Sequence, residues 1–405
     1  MTDSRISDVG AAGQQCPHLA VNTREFADSF HESLHVARAQ SPVAWDDSNG
    51  CCFVTGADTL FEVSQNWATF SSAYGVTTHS ASGGPKLLPI ETDPPLHTQW
   101  RSILNRHFTK AALDRRAGEI RRIVSEFIDA MAPAGHADMV RDLAEPLPGR
   151  VLFQAMLRLT DADLDRCTHQ VEMAIDYGHP EVQAAGYAGL FAVCAELVEA
   201  RSAAVPDEDS ITDCVVHARI DGEPVSRQDA TSILAALVFG GLETTGSALG
   251  SSLLHLARDP ALADRLRAHP DGMPTAVEEF LRLYTPAVVL CRQAQHDAEL
   301  AGLSIAEGQR VGISFAAACR DPEVFEQPDL FRMDRPHYRH YAFGVGIHRC
   351  LGSNLARLVL RLSLEAVLDR LGDLRLAPGA EPTYRVGNAR GLERLDVTFA
   401  ALATA

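Results

Sequence analysis

The chain has 405 residues, with 36 lysines and arginines against 53 acidic side chains, a formal charge of −17 and 46% hydrophobic residues. Such a composition buries a sizeable core, excludes disorder as the dominant state and argues against nucleic acid as a partner, because phosphate neutralisation needs a basic surface. Nine cysteines, an odd number without a CxxC pair, fit neither a disulfide framework nor a zinc ribbon and point to a reducing cytoplasm.

Residues 1–22 are polar and aperiodic and read as a flexible tail ahead of a single domain over 23–405. They carry neither a basic start nor an apolar core of a leader, and no run approaches the roughly 18 apolar residues that cross a bilayer, so no membrane is expected. VAWDDSNGCCFVTG (43–56) reads as a hairpin about Asn49-Gly50. From 70 to 95 the Ser, Gly, Thr and Pro content predicts a long irregular loop. Residues 95–285 are almost wholly helical in pattern. The most informative helix runs from an N-cap at Ser226 to Arg258; about 33 residues span about 50 Å. Its middle carries Gly240-Gly241, a pair that costs roughly 2 kcal/mol relative to alanine. Beyond 285, β-branched stretches return, followed by a proline-punctuated meander over 321–341 and one more helix over 352–371. The fold class is therefore mainly α with minor β, its sheet pieces at both ends of the sequence meeting in space.

The chemistry concentrates in FGVGIHRCLG (343–352). Glycines on both sides of Cys350 let the backbone approach a large flat group, and the helix that follows favours a negative sulfur at its N-terminus. A thiolate so presented is a soft anionic ligand. This segment resembles the haem-ligand loop of the cytochromes P450, with Phe343, Gly344, Gly346, His348, Cys350 and Gly352 in matching places. Four further segments resemble that family: EEFLRLYTP with Glu279 and Arg282 as its ExxR pair, DPPLHTQWR, FGGLETT, and the meander CRDPEVFEQPDLFRMDR. The resemblance covers about residues 70–371. It implies a fold with the long helix lying over haem b, Cys350 as the iron's axial ligand, and His97, Arg101, Arg292 and His348 on the haem propionates. The meander has Leu330 where the family has an arginine, so Arg332 and Arg335 are both candidates for the third partner of Glu279 and Arg282.

By the same resemblance, Glu243 and Thr244 relay protons through water at the oxygen site, Gly240 and Gly241 open the helix there, and Thr244 bonds the carbonyl that opening frees. The substrate pocket would draw on the 71–90 loop, the 170–190 region, Leu237 to Gly241 with Gly240 among them, Val288, Val289 and Leu290, and the turn at Asn388 and Ala389; His79 and Lys86 in the first loop either hold a substrate carboxylate or face water. Small aliphatic lining implies a small apolar substrate, terpenoid or aromatic, hydroxylated or O-dealkylated using O₂. No electron-carrying segment is recognisable in the chain, so a [2Fe–2S] ferredoxin with its reductase is expected to supply electrons, docking on arginines around the thiolate side: Arg357, Arg361 and Arg106, with Arg349, Lys110, Arg115 and Arg116 nearby. The alternatives are a peroxygenase using H₂O₂, against which the Glu243-Thr244 pair argues, and a haem-binding sensor without turnover.

Overall fold

The computed structural model describes residues 16–78, 85–176, 178–336 and 339–402. The hairpin forms from β2 (Val43–Asp46) and β3 (Cys51–Val54). Its turn closes because Gly50 adopts φ +61° and the buried Asp46 carboxylate accepts the Ser48 N–H at 3.0 Å. Asp46 also accepts the Val21 N–H at 3.3 Å. This contact corrects the expected tail: β1 (His18–Leu19) pairs in parallel with β2, and Leu19 and Val21 are buried. The pairing is with a strand more than twenty residues away, and local periodicity carries no trace of it. Residues 1–15 lie outside the described set.

The sheet continues through β4 (Phe70–Ser71) and two strands from the far end of the sequence, after β5 (His136–Asp138): β6 (Leu290–Ala294) and β7 (Arg310–Ile313). Its order is β1-β2-β3-β7-β6-β4, so the early and late strands meet as expected. A second sheet joins β5 to β8 (Leu371–Leu376) and β9 (Asp396–Ala401).

The helices that build the site are α1 (Ala57–Gln65), α2 (Leu96–Asn105), α3 (Lys110–Met131), α4 (Asp161–Ala174), α5 (Pro180–Ser202), α6 (Arg227–Leu242), α7 (Thr244–Arg258), α8 (Met273–Leu283) and α9 (Ser353–Arg370). Ser226 caps α6, its side chain accepting the Asp229 N–H at 3.0 Å. The central helix is not one uninterrupted element: it breaks at Glu243 between α6 and α7. The weak spot is local: regular helix lapses at Glu243, two residues after the glycine pair, while Glu243 itself stays right-handed (φ −99°, ψ −46°) and the two halves continue one another.

Two helical stretches, Pro180–Ser202 and Arg227–Arg258, are long and apolar enough to cross a membrane by length and composition, contrary to the sequence expectation of no such run. Their apolarity has a use within the fold. Leu190, Cys194 and Val198 of α5 and Ile233, Leu234, Val238, Leu249 and Leu253 of α6 and α7 lie in the main core cluster, and a helix packed on several faces has little need of polar residues.

Candidate active site

The segment ahead of α9 is a series of tight turns. Gly344 N–H donates to Tyr341 at 2.8 Å and Arg349 N–H to Gly346 at 3.2 Å, while Cys350 N–H reaches back to the Phe343 carbonyl at 2.8 Å. Gly346 sits at φ +74°, and a Cβ there would stand 2.4 Å from the Ser64 carbonyl of α1. Only glycine lets the loop lie against that helix end. Cys350 is the exposed one of the nine cysteines, yet protein crowds its thiol. That desolvation raises its pKa, opposed by the Gly352 N–H and by the charges of Arg101, Arg349 and Arg357.

Beside the loop, the His97 ring of α2 meets the His348 ring edge-on at 4.5 Å. Burial first, then neighbouring arginines, holds His97 down to about 4 and His348 down to about 2. Both rings are thus neutral near pH 7, and each Nε2 is buried without a partner. Trp100 Nε1, from the same helix, is also buried and unpartnered. Arg101 donates to the Arg349 carbonyl at 2.8 Å and Arg292 to the Cys291 carbonyl at 2.8 Å. Arg292 is brought down to about 10 by burial. Orphaned buried nitrogens are costly, and these stand beside two guanidinium groups. An anionic group lying against them would satisfy the set, and the two propionates of a haem whose iron is held by Cys350 fit it. Trp100 escaped the sequence reading; its only signal was a position one residue before Arg101, where it reads as an apolar core side chain.

At the break between α6 and α7, Thr244 Oγ1 donates to the Gly240 carbonyl at 3.1 Å. Glu243 is half-buried, and desolvation lifts its carboxyl to about 7. The two glycines differ. A Cβ on Gly240 would meet nothing within 4 Å, whereas one on Gly241 would stand 2.7 Å from Leu152. Gly241 therefore serves close helix packing and does not open the pocket. Tyr187 of α5 stacks on Phe239 of α6 at 5.4 Å, and burial together with the charges of Glu91 and Glu243 raises its phenol pKa. Both lie within stretches that the resemblance assigns to the pocket, 170–190 and Leu237 to Gly241, but their pairing is not legible there, because a tyrosine and a phenylalanine about fifty residues apart carry no joint signal.

The other pocket candidates divide. Leu237 and Leu290 are half-buried. Val288 and Val289 are not lining residues: both are buried in a core cluster with Phe30 and Phe53, and Val289 closes over Gly312 of β7. Apolar residues next to a turn read alike from sequence whether they face a pocket or a sheet. Asn388 accepts the Val288 N–H on its backbone carbonyl at 2.8 Å and keeps a buried, unpartnered Oδ1, while Ala389 bridges to Ala287. A cavity of about 410 Å³ between α5 and α6 is lined by Pro85, Phe191, Val198, Arg227 and Thr231 among others. Lys86 is exposed, and His79 lies outside the described residues.

The ExxR pair closes within α8: Arg282 donates to both oxygens of Glu279 at 2.8 Å. The third partner is Arg335, whose Nε donates to Glu279 at 2.9 Å; Arg332 contributes only its backbone N–H. Leu330 contributes its carbonyl, accepting from Arg282 at 3.1 Å and Arg335 at 2.9 Å. Burial works to raise the Glu279 carboxyl, but these donors hold it below the usual carboxylate range.

Of the expected docking arginines, Arg106 is exposed and donates to Cys214 Sγ at 2.8 Å, and Arg361 pairs with Glu365 at 3.1 Å. Arg357 is not a free surface cation. It is engaged with Glu278 at 2.6 Å and 2.9 Å, with its guanidinium 4.4 Å from the Phe343 ring centre. Arg116 is buried, donating to the Ala155 carbonyl at 3.0 Å.

The family profile described as Cytochrome P450 matches residues 273–382, which hold the ExxR pair, the meander and the Cys350 loop. The chain is 33% identical to a steroid C26-monooxygenase of Mycolicibacterium smegmatis over 94% of its own length and 95% of that protein's. It is 32% identical to the polyketide biosynthesis cytochrome P450 PksS of Bacillus subtilis, over 76% of this chain and 77% of that one. The solved structure of PksS aligns with a TM-score of 0.84 at 28% identity, covering 94% of this chain and 100% of that one. That of CYP108D1 from Novosphingobium aromaticivorans aligns with a TM-score of 0.83 at 29% identity, covering 95% and 98%. The chain belongs to the cytochrome P450 family of haem-thiolate monooxygenases.

Proposed function

We propose that this enzyme hydroxylates or O-dealkylates an apolar, ring-bearing substrate of terpenoid or aromatic type, taking electrons from a [2Fe–2S] ferredoxin and its reductase in the cytoplasm. Cys350 would hold the haem iron, and His97, Arg101, Arg292, His348 and Trp100 would hold the propionate edge. When bound, the haem supplies oxygen activation, to which a thiolate ligand contributes electron density. The chain's own residues do the rest. Gly240 leaves space beside the helix break, Thr244 is fixed by its bond to the Gly240 carbonyl, and Glu243, titrating near neutrality at about 7, can take a proton from solvent and pass it inward. Tyr187 and Phe239 offer a flat apolar wall, and Asn388 Oδ1 a polar contact for a substrate hydroxyl.

The observation that carries this reading is the acid and alcohol at the α6–α7 break, since oxidation driven by an external electron donor requires protons at that place whereas one fed by H₂O₂ does not. The relatives' names, a steroid and a polyketide oxygenase, support an apolar substrate. A spectral-shift screen of terpenes, phenolic ethers, benzoates and steroids, followed by product analysis, tests it. Product should require the ferredoxin system and NAD(P)H; equal yield from H₂O₂ alone would reject the monooxygenase route.

A further inference from the structure

Glu278 immediately precedes the ExxR glutamate on α8, so the two carboxylates point about 100° apart around the helix. They serve different segments. Glu279 holds the meander through Arg335. Glu278 Oε2 accepts from His340 Nε2 at 3.1 Å, a direction fixed because His340 Nδ1 accepts the Ala342 N–H at 3.2 Å and so carries no proton itself. The same carboxylate accepts Arg357 Nε at 2.6 Å on Oε1 and Nη2 at 2.9 Å on Oε2, a bidentate fork. His340 lies ahead of the Cys350 loop and Arg357 behind it, in α9. Between them sits Phe343, its ring 4.4 Å beneath the Arg357 guanidinium and 5.9 Å from the His340 ring.

We propose that Glu278 is a positioning residue for the thiolate ligand: one carboxylate ties the two ends of the ligand loop together through His340 and Arg357, and thereby fixes Phe343, whose carbonyl accepts the Cys350 N–H. The chain of contacts is short and each link is directional. The His340 side chain is 2% exposed and that of Glu278 21%, so the network is largely shielded from water and is worth more than a surface pair. Glu278 also has an electrostatic part. Arg357 is a cation stacked on Phe343, whose carbonyl accepts the Cys350 N–H, and the Glu278 carboxylate forked to it at 2.6 Å and 2.9 Å offsets that positive charge next to the ligand loop. Burial tends to raise the Glu278 carboxyl, but its two partners bring it down to about 2, so at neutral pH it is an anion.

The inference rests on Cys350 as the haem ligand, and the experiment separates the two. Haem-loaded Glu278→Gln, which keeps the volume and removes the charge, is compared with the unaltered protein by reduction potential, by the rate at which the reduced carbon monoxide complex loses its thiolate-type spectrum, and by melting temperature. Loss of the thiolate spectrum should quicken roughly tenfold, as for other groups that orient a metal ligand, and the potential should rise because the Arg357 charge is no longer compensated. Glu278→Asp should keep the potential close to that of the unaltered protein. If Glu278→Gln folds poorly, Arg357→Lys supplies the second reading: it keeps the charge but loses the fork and the flat stack, so the thiolate spectrum should decay faster with little change in potential. A lowered melting temperature with potential and thiolate retention unchanged in both variants would overturn the proposal, leaving Glu278 a structural tie only. An unaltered protein without the thiolate spectrum, or a Cys350→Ser variant that keeps it, would overturn the ligand assignment and the proposal with it.

Discussion

Arg335 donates its Nε to Glu279 at 2.9 Å across 56 residues of chain, at a site where both side chains are almost fully buried. Arg335 also donates to the Glu326, Gln327 and Leu330 carbonyls, so one guanidinium gathers the meander onto α8. Glu279 would keep its fork with Arg282 at 2.8 Å, so losing Arg335 removes a charge-assisted hydrogen bond and the donor to the meander carbonyls, which costs about 1.5–3 kcal/mol. Arg335→Ala should therefore lower the unfolding free energy by about that amount and weaken haem retention. Arg332→Ala removes a side chain whose partners are exposed carboxylates and leaves its backbone bond to Glu279 in place, so it should cost no more than about 1 kcal/mol. Denaturant unfolding of the two variants checks the assignment, and equal losses would reject it.

Thr244 Oγ1 is held by the Gly240 carbonyl at 3.1 Å, which orients its hydroxyl at the helix break. Thr244→Ala removes the hydroxyl while the helices on either side keep their packing. Substrate affinity should change little, product formed per NAD(P)H should fall several-fold, and H₂O₂ released should rise by the matching amount. Coupling equal to that of the unaltered enzyme would remove Thr244 from proton delivery.

Glu243 supplies a pH prediction with a definite sign. Its carboxyl is raised by burial from 4.5 to about 7, so between those values the folded protein holds a proton that the unfolded chain has released. Stability then declines as pH rises through this window, because the folded state binds more protons than the unfolded one. Glu243→Gln should flatten that slope, and turnover should lose its alkaline limb near pH 7 together with most of its rate. Thermal unfolding at several pH values and a pH–rate profile with a fixed electron supply measure the two effects.

What the sequence disclosed and what it hid follow from range. The Cys350 loop, the Glu279–Arg282 pair, the His97–Arg101 spacing and the Asn49-Gly50 hairpin are local patterns, each carried by ten residues or fewer, and each takes its place in the structure. The arrangements that sequence left open or misplaced depend on distant contact: Arg335 over Arg332, the strand His18–Leu19 beside Val43–Asp46, the burial of Val288 and Val289, and the engagement of Arg357 by Glu278. Gly240 and Gly241 show the limit at its sharpest. Adjacent and chemically identical, they differ only in that Leu152 stands over one of them.

His97 and Trp100 each bury an unpartnered nitrogen beside His348. A buried donor without an acceptor costs about 1–3 kcal/mol, so a ligand that satisfies both should bind tightly and the apoprotein should gain stability when such a donor is replaced by an apolar side chain. His97→Leu should stabilise the haem-free protein slightly while weakening haem affinity about 10-fold or more. Trp100→Phe should do the same more mildly. Haem transfer to an acceptor protein and melting of the apoprotein give the two numbers, and weaker haem binding without any gain in the apoprotein would mean that His97 acts through packing alone.

The commitment of Arg357 to Glu278 changes which residues can test carrier docking. Reversing Arg357 would disturb the ligand loop itself, and a slower reduction would then say nothing about a partner. Arg106 is exposed, and the Lys110 side chain is 86% exposed and forms a surface pair with Asp114. Arg106 opens the short 3-10 turn Arg106–Phe108 and Lys110 opens α3 just after it, so both lie outside the ligand loop. If an acidic ferredoxin docks on this face, Arg106→Glu with Lys110→Glu should lower the second-order reduction rate about 10-fold at low ionic strength and flatten its salt dependence, since steering charges act chiefly on association. Reduction by a small uncharged donor should proceed unchanged, because it needs no docking face. A double variant that the ferredoxin still reduces at the original rate and with the original salt slope would place the electron entry elsewhere on the molecule.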